Sequence, residues 1–152
     1  MHKGSVISLL VIAVTLFSLG FGLYISYYIL DELDTQPLMN ATTITIGKTA
    51  IQNLGLTFPL IAIIWGATAV ALAWSFGGSP IMYVFSVLVT GFIMIVAAQL
   101  SDTFEILQGY FPASTINALP FVGTINLNLP LYVLCWAVLV VIATHRGGSE
   151  EV

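Results

Sequence analysis

The residues of this chain that could do chemistry are few, and they stand at the edges of long apolar runs. Asp31, Glu32 and Asp34 follow the first run, and Asp102 and Glu105 follow a later one. Carboxylates in such groups either ligate Ca²⁺ through their oxygens or stay hydrated and hold a membrane boundary; the second reading is expected here, with no metal site. His2 and His145 lie near the two ends. They cannot supply haem ligands across helices or the three to four clustered donors of a zinc site. Cys135 is the single cysteine, so an intrachain disulfide is excluded, and it is expected to pack as a small hydrophobe. Serine and threonine are plentiful, yet no His, Lys or carboxylate shares an apolar run with them, which leaves no nucleophile–base pair. Gly77-Gly78-Ser79 lacks the lysine of a phosphate-binding loop. No catalytic residue and no cofactor are therefore expected, and the chain does not read as an enzyme.

The elements that position these groups are membrane spans. Residues 5–30 contain no charge, and about 20 apolar helical residues suffice to cross a bilayer. Further runs cover 57–76, 80–100 and 129–144. Of the 152 residues, 59% are hydrophobic and 7% charged. Soluble domains carry about 25% charged residues, so lipid must cover this surface. The first run is longer than a signal-peptide core of roughly 7–15 residues, and DELDTQP after it does not resemble a cleavage site; it is expected to be retained. The fold expected is an all-α integral membrane protein, a single transmembrane domain over residues 1–152. It forms a four-span helical bundle with two long outer loops, 31–56 and 101–128.

Orientation follows the excess of cations on the cytoplasmic side. His2 and Lys3 precede the first span, and His145 and Arg146 follow the last. Both termini are thus expected to be cytoplasmic, with only Lys48 voting against. The net charge of −4 and the scarcity of Lys and Arg argue against nucleic acid and against a polybasic lipid-binding patch. The expected partners are the lipid bilayer and other membrane subunits or copies of the chain itself.

Gly77-Gly78-Ser79-Pro80 is a turn signal between the second and third spans. Tyr24, Tyr27 and Tyr28 suit an interfacial aromatic belt. The outer loops are apolar for loops of their length. In the first, alternation over Thr43-Ile44-Thr45-Ile46 permits a short strand, and Asn40-Ala41-Thr42 is a glycosylation sequon. In the second, Asp102 to Gly109 reads as a short helix with an acidic first turn.

A gap-free shift that carries Gly20-Phe21 onto Gly91-Phe92 also carries Asp31 onto Asp102 and Asp34 onto Glu105. It places Pro59 on Pro130 and Trp65 on Trp136. Two parallel helix–loop–helix repeats, about 5–76 and 80–146, are expected from this placement. Small residues at Ala62, Gly66, Ala69 and Ala73, with Ser18 and Gly22 in the first span, are expected to let helices approach closely. The function expected is a non-enzymatic structural or accessory subunit of a membrane assembly, in contact through the apolar outer loops and small-residue faces. The alternative is a homo-oligomeric pore or small-solute channel around Thr15, Ser18, Ser86, Thr90 and Gln99.

Overall fold

A computed structural model describes residues 4–36, 40–75 and 80–147. The chain folds as six helices: α1 (Gly4–Asp34), α2 (Ala41–Ser75), α3 (Pro80–Gln108), α4 (Ala113–Ala118), α5 (Pro120–Leu127) and α6 (Leu129–Gly147). No strand occurs among the described residues. Three helices are long and apolar enough to cross a membrane. A fourth span is added if α5 and α6, bent by 67° at their junction, count as one broken crossing. The glycine turn expected at 77–79 lies outside the described residues, as do His2 and Lys3.

The two outer loops are not loops. Of the segment expected as the first loop, α1 takes the start, to Asp34, residues 37–39 lie outside the described residues, and α2 runs from Ala41 through the rest, including the four residues read as a strand. Asn40 starts it: its side-chain Oδ1 accepts the Thr42 N–H at 3.0 Å, satisfying one of the donors a helix start leaves open. The glycines that suggest a loop serve close packing instead. A side chain on Gly47 would meet Leu30 of α1 at 2.9 Å, and one on Gly55 would run into Leu119. Pro59 sits inside α2, a position that membrane helices tolerate. In the second segment, Asp102 to Gln108 is the end of α3, not a separate helix. Phe104 is buried while Asp102 and Glu105 are exposed, the period of an amphipathic helix. The short α4 and α5 occupy the rest.

Polar contacts give the register. Lys48 of α2 reaches Asp31 of α1 and Gln52 reaches Tyr27, so α1 and α2 are antiparallel. Tyr132 of α6 donates its hydroxyl to the Ala62 carbonyl of α2, and one turn further the Trp136 indole covers Gly66; these two helices run parallel. The core is a continuous apolar cluster including Leu16, Phe58, Ile93, Val122, Leu129 and Val140. Its upper part is closed by α5, whose Val122, Gly123 and Asn126 are buried.

Candidate functional site

α1, α2 and α3 all continue past the start of α6, and together with α4 and α5 they build a helical head at one end of the bundle. Its interior is aromatic. Tyr24 and Phe104 are buried and meet edge to face at 5.5 Å. Phe111 approaches Tyr24 at 5.5 Å and Tyr28 at 5.8 Å, and Phe17 reaches Phe104 at 6.2 Å. Such rings favour edge-to-face contacts because their faces are negative and their edges positive. The tyrosines expected as a membrane belt therefore differ in role: Tyr24 and Tyr27 are buried, and only Tyr28 is exposed.

Within this core the Tyr24 hydroxyl accepts from Gln108 Nε2 at 3.2 Å and points to the Leu119 carbonyl at 3.5 Å. Gly123 sits against both polar groups; a Cβ there would lie 2.8 Å from the Tyr24 hydroxyl. At the junction of α5 and α6, Ser101 of α3 donates to the Leu127 carbonyl at 2.6 Å, serving an acceptor that the helix break leaves open. Asn126 is fully buried. Its amide lies on Gly20 of α1 and donates to the Val122 carbonyl at 3.0 Å.

A single cation ties the tip of the head together. Lys48 Nζ donates to Asp31 Oδ1 at 2.7 Å and Asp34 Oδ2 at 2.9 Å, and Ser114 of α4 donates to Asp31 Oδ2 at 3.1 Å. The clamp joins α1, α2 and α4. The Lys48 ammonium holds the Asp31 carboxyl below the usual aspartate range, helped by Ser114 and opposed by partial burial. Hydrogen bonds to Asp31 and then Asp34 raise Lys48 in turn.

The acids do not converge. Asp31 and Asp34 share Lys48, whereas Asp102 and Glu105 stand exposed on α3. No group of three or more His, Cys, Asp or Glu fit to hold a metal occurs among the described residues. Two side chains of α2, Lys48 and Gln52, bond it to α1, and Lys48, a cation on the side expected to be poor in them, is the centre of the clamp. Its signal is the Asp31-x-x-Asp34 spacing, which puts both carboxylates on one helix face.

The small residues divide into two sets. Ala62, Gly66, Ala69 and Ala73 are buried within the bundle, and Gly66 gives room to Trp136. Ser18 and Gly22 are exposed, and nothing lies within 4 Å of a Cβ placed on Gly22. The repeat-marked positions also divide. The α2–α6 register brings the segments holding Pro59 and Trp65 to the same height as those holding Pro130 and Trp136. Asp102 has no such match with Asp31: Phe104 packs on Phe17 and Tyr24, which puts Asp102 well below the clamp. Cys135 is exposed on α6, not packed inside. Among the polar positions considered for a pore, Thr15 and Ser18 lie on α1 and the others on α3, where Ser86 is buried and Gln99 exposed. No family model matches the chain, and no curated protein or solved structure matches it significantly.

Proposed function

We propose that the protein is a non-enzymatic structural or accessory subunit of a membrane assembly, and that its head docks side by side against neighbouring membrane subunits. α6 has 19 residues, about 28 Å at 1.5 Å per residue, which fits a hydrocarbon core of about 30 Å. Exposed Asp102 lies beside Ser101, which bonds the last turn of α5 just before α6 begins. A carboxylate at the centre of a bilayer costs about 2.5–3.5 kcal/mol, so the hydrocarbon ends near this level. In this reading Arg146, in the last turn of α6, stands near the opposite surface, and the bias of cations toward the cytoplasm supports both termini on the cytoplasmic side and the head outside.

The observation that carries the reading is the outer wall of the head. Beyond the level of Asp102 it exposes Ile29, Ile46, Leu54, Ile106 and Tyr110, with Ile46 at 65% and Tyr110 at 80%. In this reading the wall stands above the lipid, and large apolar side chains exposed to water mark an interaction site. Ser18 and Gly22 continue the Ile25–Ile29 line of α1 downward into the bilayer, where small residues favour close helix contact.

Native mass spectrometry of particles extracted gently from the native membrane tests the proposal. A fixed stoichiometry with other subunits or with further copies is expected, and Ile46→Lys with Leu54→Lys should release the chain from it. A wild-type chain recovered only as a monomer overturns the reading.

A further inference from the structure

Below the head, level with the middle of α6, α1 and α2 part to leave an open cleft of about 390 Å³. Ile7, Val11 and Thr15 form one wall and Trp65, Thr68 and Leu72 the other, over a floor that includes Ala69. We propose that this cleft holds one acyl chain of a membrane phospholipid.

Three observations favour hydrocarbon. The first is depth and length. Ile7 to Thr15 along α1 is about 12 Å at 1.5 Å per residue, wholly within a hydrocarbon core about 30 Å thick, level with the middle of α6. The second is chemistry. Thr15 donates its hydroxyl to the Val11 carbonyl at 2.7 Å and Thr68 to the Ile64 carbonyl at 2.8 Å. Both donors are spent on their own helices, and Ser8, which also lines the cleft, is engaged as well, so the walls ask little of a polar ligand. The third is shape. Higher up, α1 and α2 are in contact through Gly47 and Leu30 and through Gln52 and Tyr27. The cleft is thus a recess within a close pair, and a third helix, roughly 10–12 Å across, does not enter it. An unbranched chain does, and it gains contacts on both walls and the floor that ordinary boundary lipid makes on one side only. The volume falls within the roughly 300–1,000 Å³ of small-ligand sites.

The inference rests on α1 and α2 crossing the bilayer. The full chain is reconstituted in dioleoylphosphatidylcholine vesicles in which a graded fraction of the lipid carries bromine midway along its chains. Bromine quenches tryptophan on contact. Subtracting the Trp65→Phe signal isolates Trp65, and subtracting Trp74→Phe isolates Trp74, which is exposed outside the cleft. One resident lipid makes Trp65 fluorescence fall in direct proportion to the brominated fraction. Several exchanging neighbours make Trp74 fall more steeply at low fractions. Thr68→Phe, filling the cleft from an exposed position, should abolish most of the Trp65 quenching, with Val11→Phe as the second variant and circular dichroism reporting the fold of both. A Trp65 curve as steep as that of Trp74 overturns the proposal, because ordinary boundary lipid then suffices. Absence of quenching at Trp65 also overturns it, by assigning the cleft to protein. Flotation of the same vesicles separates failure of the groove from failure of the membrane reading, since an uninserted chain would not float.

Discussion

Replacing Gly66 by alanine tests how the bundle is held together. The indole of Trp136 occupies the place where a Cβ on Gly66 would stand, so even one methyl forces the ring or the whole of α6 away from α2. Overpacking of this kind costs about 1–3 kcal/mol. Alanine also improves the helix, by about 1 kcal/mol relative to glycine, which leaves a net loss of up to about 2 kcal/mol from these two opposing principles. A retreat of α6 also stretches the bond from Tyr132 to the Ala62 carbonyl one turn away, which moves the result toward the larger loss. Reversible unfolding in mixed micelles, by titration with denaturing detergent, measures it. Trp136→Leu removes the ring, and in that background Gly66→Ala should become neutral or stabilising. The coupling expected between two residues in direct contact is about 0.5–3 kcal/mol. Gly91→Ala serves as the control, because nothing lies within 4 Å of the Cβ it adds; it should be neutral or gain up to about 1 kcal/mol. If the two replacements at Gly66 and Trp136 simply add, to within about 0.5 kcal/mol, the close approach of α2 and α6 described here is wrong.

Other expectations are simpler to check. Lys48→Met should weaken the head by about 1 kcal/mol or less, the ordinary value of an exposed pair, and should increase amide exchange in α4 more than in α6. Since Asp31 is lowered on folding, its contribution is present above the ordinary aspartate value of about 3.9 and is lost as pH falls through the lower folded value. Lys48 is raised, so its contribution is present below about 10.4 and is lost as pH rises through the higher folded value; a head melting at constant temperature across pH 4 would contradict the clamp. Ser101→Ala strands the Leu127 carbonyl and should cost about 1–3 kcal/mol in the same unfolding titration, whereas Thr103→Ala, whose hydroxyl bonds its own helix, should cost far less. Cys135, exposed on a span, should react with an apolar maleimide dissolved in lipid and resist a charged one in water; the reverse order would place α6 outside the bilayer.

Much of this molecule is written in its composition. A bilayer demands that backbone groups be paired within each segment, and uncharged runs of sufficient length leave only helices as the solution. Residues 5–30, 57–76, 80–100 and 129–144 all proved helical where described, because that demand is local and needs no knowledge of neighbours. Ala62, Gly66, Ala69 and Ala73 lie buried because small side chains at helical spacing let a neighbouring helix approach, whereas the same spacing at Ser18 and Gly22 faces outward from α1, a difference that only the tertiary structure decides. The segments at 31–56 and 101–128 were misread because glycine, threonine and asparagine favour loops in isolation. Their helical state depends on partners distant in the chain: Leu30 over Gly47, Leu119 over Gly55, Tyr24 and Gln108 over Gly123. Glycine in a helix costs about 1 kcal/mol relative to alanine, and only a helix pressed close against it recovers that loss. The clamp of Lys48 with Asp31, Asp34 and Ser114 likewise joins three elements whose meeting no spacing discloses. Sequence alone thus determined that the chain carries apolar helices long enough to cross a membrane; tertiary packing decided that the segments between the apolar runs fold into a helical head, because close contacts there outweigh the local preferences of the residues that make it.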